Sequence, residues 1–382
     1  MDPLLEFTLV LALLALIECA HWITRQSAAF QKCWRRYAAR EGESLFGNER
    51  AGFAFAWPLP PFGALWVFEA PPFHAGETRV LGLASGRALE WHQLGAVSAE
   101  ERRLMIGGAV FAECSSARAA LEWQAWLAKR AGESQAHRRA AREELAEELC
   151  QPERLRSVCA RMLPQRIRLV PLIWIEFALL FGGLPLTEWL VGLSRGWPWL
   201  LGALVGVHAL LVWSWARAHR ELFASRVQER RMKLLGLSLS PPAALRALDA
   251  LSRDALPRLE PLAAASFLLE RAEFVDYARR RWREHAHPKP VGLQPETSEW
   301  LALLVPAMER LLDRAGLPLS ELAAAPLRLE EDVMSYCPRC ERQYTHASGN
   351  CEACSGVPLV AYARVEEAVP GADSPASSRG AS

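Results

Sequence analysis

The chain has 382 residues, is 51% hydrophobic and has a formal net charge of +1. It is too long for one small domain, and its charge is too balanced for bulk electrostatic capture of nucleic acid. Composition alone therefore leaves the class open, and the local departures from it carry the information.

The first departure is the run 4–23, LLEFTLVLALLALIECAHWI, which carries only Glu6 and Glu18 as charges. Its length suits a hydrocarbon core of ~30 Å. Asp2 precedes the run and the basic residues follow it, so it is expected to be an uncleaved anchor rather than a signal peptide. A cytosolic region is expected over 24–168. Within it, Phe53, Phe55 and Trp57 share one face, and ALWVFEA and TRVLGL follow, which predicts a small β sheet of three or four strands over 43–97. Pro58 to Gly63 and Ala84-Ser85-Gly86 supply the turns. Ser98-Ala99-Glu100-Glu101 has capping-box spacing, so helices are expected over 98–165, the first running through Ala131. The stretch QAHRRAAREELAEEL mixes both charges at helical spacing and predicts a solvated helix.

Two further apolar runs, 169–193 and 197–216, are separated by Ser194, Arg195 and Gly196. They predict a helical hairpin in a membrane, with Trp189, Trp197 and Trp199 at one interface and Trp174, Trp213 and Trp215 near the other. Basic residues follow the first span, precede the second and follow the third, while the reversal holds Arg195 alone. This places the N-terminus outside and the remainder, apart from the reversal, in the cytosol of a bacterial-type inner membrane. Glu176 and His208 stand at equal depth, ~12 to 14 Å from the cytosolic helix ends, and are expected to form an intramembrane pair. Gly202 and Gly206 are expected to let the third span approach a neighbour closely.

The region 217–330 reads as cytosolic and helical. A basic helix from Ala218 to Leu235 is expected to continue the third span, stopping before Pro241-Pro242. Further helices are expected over Pro261–Glu284 and Ser298–Ala315. The run Arg279, Arg280, Arg281 and Arg283 reads as a solvated helix end in preference to a lipid or nucleic-acid patch.

Near the C-terminus, over 331–364, Cys337-Pro338-Arg339-Cys340 is followed after ten residues by Cys351-Glu352-Ala353-Cys354. Two CxxC pairs bring four thiolates to one ion, the ligand set that a structural zinc site uses. The residues YCPRC, Tyr344, the second CxxC and Leu359 resemble the zinc-ribbon family over Tyr336 to Tyr362. That resemblance implies one structural zinc per chain held by Cys337, Cys340, Cys351 and Cys354. The sequence departs from the usual pattern where Glu341 stands in place of a glycine, and where Gly356 comes one position late behind Ser355. His346 is read as a bystander, and dithiol redox or rubredoxin-type iron ranks below zinc. The other cysteines, Cys19, Cys33, Cys114, Cys150 and Cys159, show no disulfide framework and read as reduced thiols. The tail 365–382 is expected to be disordered.

These readings combine into a mainly α polytopic membrane protein with three transmembrane helices, a small cytosolic β-rich segment, cytosolic helices and a C-terminal zinc ribbon. HExxH, Walker, GxGxxG and GxSxG motifs are missing, which weighs against catalysis. The expected role is assembly or partner recognition, with membrane lipid and a protein as partners. A membrane-embedded enzyme or transport component using Glu176 and His208, and a membrane-tethered nucleic-acid binder, are the alternatives.

Overall fold

A computed structural model describes residues 52–57, 64–114 and 116–362, together with the isolated positions Glu6, Val10 and Leu13. Apart from those three positions, the predicted first span 4–23 lies outside the described residues, as does the predicted disordered tail 365–382. The chain is mainly helical with small sheets, and it divides into two compact units. The second unit comprises Arg283–Leu293 and the chain from Ala323 onward; the first holds the rest.

The first unit opens with the antiparallel hairpin β1 (Gly52–Trp57) and β2 (Ala64–Glu69), registered from Gly52 opposite Glu69 to Trp57 opposite Ala64. A three-stranded antiparallel sheet follows from β3 (Phe73–Ala75), β4 (Arg79–Gly82) and β5 (Ala88–Glu90). The expected helix start at Ser98 is corrected: Ser98–Glu100 is strand β6, and it pairs with β7 (Arg103–Ile106), which pairs with β8 (Ala109–Glu113). The physical reason is Gly107-Gly108. Both adopt positive φ, 58° and 77°, in a two-residue hairpin turn that only glycine enters without strain, and Glu101 turns with φ 51° where a helix was expected to begin.

Helix α1 (Ala117–Ala131) begins at Ser116, whose hydroxyl accepts from the Ala119 amide. It presents Trp123 and Trp126 to Phe73, with ring centroids 5.1 and 5.8 Å apart. Helix α2 (Gln135–Leu149) is solvated on one face only. Ala141, Leu145 and Leu149 are buried on the other, and Arg142 is buried with them, its guanidinium donating to the Ala75 carbonyl at 3.1 Å.

Three helices then form the apolar part of this unit: α3 (Pro152–Phe181), α4 (Gly183–Val191) and α5 (Leu193–Leu222). The expectation of one continuous helix over 169–193 is corrected, since the chain bends by 58° between α3 and α4. Pro185 has no N–H to offer the Phe181 carbonyl, and the bend falls at Gly182-Gly183. The reversal also moves. It lies at Gly192, with φ 76°, and Ser194, Arg195 and Gly196 belong to α5. Gly183 and Gly196 are the close-approach glycines, because a Cβ would meet Leu200 at 2.6 Å and Thr187 at 2.0 Å respectively. Gly202 and Gly206 face open space, contrary to expectation.

Among the described residues, α5 is long and apolar enough to cross a membrane, and the bent pair α3–α4 passes the same test taken as one span. Large apolar side chains cover the outside of these helices: Trp189 is 80% and Trp199 83% exposed, and Leu186, Leu190, Val205, Leu210 and Trp213 are exposed as well.

After α5 the chain does not continue outward as a basic helix. It breaks at Phe223, and α6 (Val227–Leu239) packs back along α5, followed by the short α7 (Pro241–Ala244) and α8 (Ala247–Ala255). The predicted helix Pro261–Glu284 is two, α9 (Pro261–Leu268) and α10 (Arg271–Ala286). Arg281 is not solvated: it is buried and bonds the buried Glu260 carboxylate at 2.8 Å. Helix α11 (Pro295–Arg314) meets the β3–β4 hairpin through Arg79–Glu296 at 2.7 Å and His74–Thr297 at 2.9 Å.

In the second unit, β9 (Ser335–Tyr336) lies between β10 (Gln343–Tyr344) and β13 (Val360–Ala361), while β11 (Asn350–Cys351) pairs with β12 (Val357–Pro358).

Candidate metal centre and a buried carboxylate–imidazole pair

The two short sheets of the second unit deliver one cysteine pair each. Cys337 follows β9 directly and Cys351 ends β11, so each CxxC turns back at the end of a strand. The sulfurs of Cys337, Cys340, Cys351 and Cys354 all lie within 4.8 Å of one another, and Cys340 Sγ is 3.7 Å from Cys351 Sγ. A tetrahedron with zinc–sulfur bonds of about 2.3 Å has edges of about 3.8 Å, so the donor set fits a four-cysteine zinc site. No disulfide joins these cysteines. Three of the sulfur-bearing residues are buried and Cys340 is exposed. Val357 is buried beside them, and Tyr344 and Leu359 pack against the group.

The knuckle backbone explains how the sequence tolerates its missing glycine. Glu341 adopts φ 61° and its amide donates to the Cys337 carbonyl at 2.9 Å; Ser355 and Gly356 adopt φ 52° and 99°, and the Gly356 amide donates to the Cys351 carbonyl at 3.1 Å. The left-handed turn is thus made without glycine at Glu341 and Ser355, at a cost of order 1 kcal/mol each. Glu341 gains an ion pair of 2.7 Å with the buried Arg283, which also donates to the Ala324 carbonyl. Arg339, inside the first knuckle, donates to the Glu284 and His287 carbonyls at 2.5 and 2.9 Å, satisfying acceptors at the end of α10. The arginine and glutamate of the first knuckle therefore hold it in place, a role that CxxC spacing does not reveal.

Around the sulfurs, burial pushes the Cys337 and Cys354 thiols up. Burial acts on Cys351 in the same sense but is outweighed by hydrogen bonds, first from the Tyr344 hydroxyl at 3.1 Å, which bring its thiol to about 7. A divalent ion held by Cys337, Cys340, Cys351 and Cys354 would ionise the coordinating thiols and would supply folding energy. His346 stands outside the sulfur group; its ring lies 5.2 Å from Tyr344 and its carbonyl accepts from Ser335 Oγ at 2.6 Å.

The second site lies between α3 and α5. Glu176 is fully buried, and its Oε1 is 2.8 Å from His208 Nδ1. The other imidazole nitrogen is 3.3 Å from the Ser238 carbonyl at the end of α6. Nothing in the sequence spacing points to Ser238, because the fold-back of α6 brings it there. At the end of the helix pair, Glu221 accepts from Gln165 at 2.7 Å, Arg217 at 2.9 Å and Arg168 at 3.2 Å.

No protein-family model, curated protein or solved structure matches the chain.

Proposed function

We propose that this protein is a multi-pass membrane protein whose zinc-stabilised ribbon recognises a protein partner during assembly, with zinc held by Cys337, Cys340, Cys351 and Cys354. The observation that carries this reading is the surface of the ribbon unit. Leu327 and Leu329 are 89% and 80% exposed on a segment fastened to the side-chain amide of Gln343, and Met334 and Val360 are exposed on the same small unit. Apolar side chains displayed on a domain too small to bury them suit a protein interface. A closed site of four cysteines leaves the metal no open position and supports a folding role for it.

The membrane part of the proposal rests on the apolar exterior of α3, α4 and α5, with tryptophans toward both ends. The membrane is a bacterial-type inner membrane, with the N-terminus outside and the ribbon in the cytosol. A second reading, a transport component or enzyme working within the membrane, is favoured by the Glu176–His208 contact alone. The nucleic-acid reading loses support from the arginine run, because Arg281 and Arg283 are engaged with Glu260 and Glu341.

The test is site-specific photo-crosslinking from Leu327 and Leu329 in native membranes. A discrete protein adduct, lost when Cys351→Ser removes the metal, is expected. Adducts to nucleic acid, or none from either position, would overturn partner recognition by the ribbon.

A further inference from the structure

We infer that α6, α7 and α8 form a re-entrant membrane hairpin, a second lipid-embedded element beside α3–α5. The inference rests on the membrane reading above and extends it to a segment whose sequence indicates a cytosolic location. Its first support is depth. Ser238 reaches His208, which stands nine residues before Arg217 on α5, so the end of α6 comes roughly 13 Å inward from the level of Arg217. Half a hydrocarbon core is about 15 Å. The tip therefore reaches toward the middle of any bilayer that α5 crosses.

The second support is the charge layout. Leu234 to Leu245 carries no charged residue and is bounded by Lys233 and Arg246. Lys233 is ion-paired to Glu229 and, across the hairpin, to Asp254, while Arg246 is paired to Asp249 at 2.8 Å. Apolar side chains on α6 point away from the protein: Leu235 is 58% and Leu239 76% exposed, with Met232 also exposed. Toward the protein, Leu237, Ala244 and Leu245 are buried, while beyond Arg246 the inner face of α8 buries Asp249 and Ser252 beside Leu248 and Leu251. The hairpin is thus apolar on both faces at its tip.

The third support is the turn's backbone, since irregular structure at membrane depth must satisfy its own polar groups. Pro241 and Pro242 have no amide hydrogen to satisfy. The amides that follow are bonded: Ala243 to Ser240 Oγ, Ala244 to the Ser240 carbonyl at 3.1 Å, Leu245 to the Pro241 carbonyl at 3.2 Å and Arg246 to the Ala243 carbonyl at 3.0 Å. On the returning side, the Ala247 carbonyl accepts from Trp215 Nε1 at 3.0 Å. The occupant of the exposed α6 face is the acyl region of the bilayer, continuous with the apolar exterior of α5.

The experiment places a benzophenone amino acid singly at Leu235, Leu239, Val205 and Leu327 in the full chain. Each variant is reconstituted in phosphatidylethanolamine–phosphatidylglycerol vesicles carrying a tritiated acyl chain. Lipid adducts at Leu235 and Leu239 are expected within about threefold of those at Val205 on α5, and at least about tenfold above those at Leu327 in the ribbon unit. Labelling at Val205 without labelling at either α6 position, or protein adducts there instead, would overturn the re-entrant hairpin and leave the membrane reading standing. Absence of lipid adducts at Val205 as well would overturn both.

Discussion

Glu176 Oε1 and His208 Nδ1 lie 2.8 Å apart, and the Ser238 carbonyl stands on the far side of the same imidazole. A carbonyl can only accept, so a hydrogen bond to Ser238 requires the Nε2–H tautomer, and the contact with Glu176 then requires one proton between Nδ1 and the carboxyl group. The pair is neutral as a whole whichever atom holds it, which is the form that a low-dielectric surrounding tolerates. Removing one partner leaves an uncompensated polar group within the pair, whereas removing both leaves only the Ser238 carbonyl without its imidazole. His208→Leu is therefore expected to destabilise the detergent-solubilised protein by about 2–4 kcal/mol, with Glu176→Leu/His208→Leu recovering most of that loss. Thermal unfolding of the two single variants and the double variant checks it; additive losses would separate the two residues energetically.

Ser355 holds φ 52° immediately after a metal-ligand candidate, and its neighbour Gly356 is already left-handed. Ser355→Gly removes the steric strain of a side chain in that conformation, and a stabilisation of about 0.5–1 kcal/mol is expected. Slower zinc release to a chelator than from the unaltered chain is the readout. Glu341→Gly is expected to do worse than Ser355→Gly despite the same backbone logic, because it also removes the carboxylate paired with Arg283.

How far the sequence is legible follows the range of the interactions. The strand segments containing Phe53 to Trp57 and Val80 to Gly82 and the two CxxC pairs are local patterns, and the structure places strands and clustered sulfurs there. Gly107-Gly108 is an equally local hairpin signal, but Ser98 to Glu101 offers a competing helix cap that hides the strands around it. The fold-back of α6 is not legible, because what marks it is long-range: the contact of the Ser238 carbonyl with His208, 30 residues earlier, and the burial of Leu237. The same holds for Arg281, which looks solvated within its charge run and is buried only because the fold brings Glu260 to it.

His74 tests the seam between β3 and α11. Burial lowers its imidazole from 6.5 to about 4, so the folded protein keeps it neutral at a pH where the unfolded chain protonates it. Its contribution is fully present above pH 6.5 and is lost as pH falls toward 4, by at most about 3 kcal/mol. Denaturant unfolding at about pH 7 and about pH 4.5 is expected to show that loss in the native chain and a smaller one in His74→Gln. Equal pH dependence in both would assign the acid sensitivity elsewhere.

The basic residues around the apolar helices set the expected orientation. A periplasm-active reporter fused at Arg195 is expected to work and one fused at Glu366 to fail, with a cytosol-active reporter giving the reverse. The opposite pattern would invert the topology while leaving the hairpin itself intact.

The central claim, a membrane-embedded helical protein carrying a closed four-cysteine zinc centre, is tested most directly by the zinc content of protein purified from carbonate-washed membranes. One zinc per chain is expected, falling to near zero in Cys351→Ser while that variant stays in the washed membrane pellet. Release of the unaltered chain into the carbonate wash, or membrane-retained protein holding no zinc or holding iron, would contradict the account.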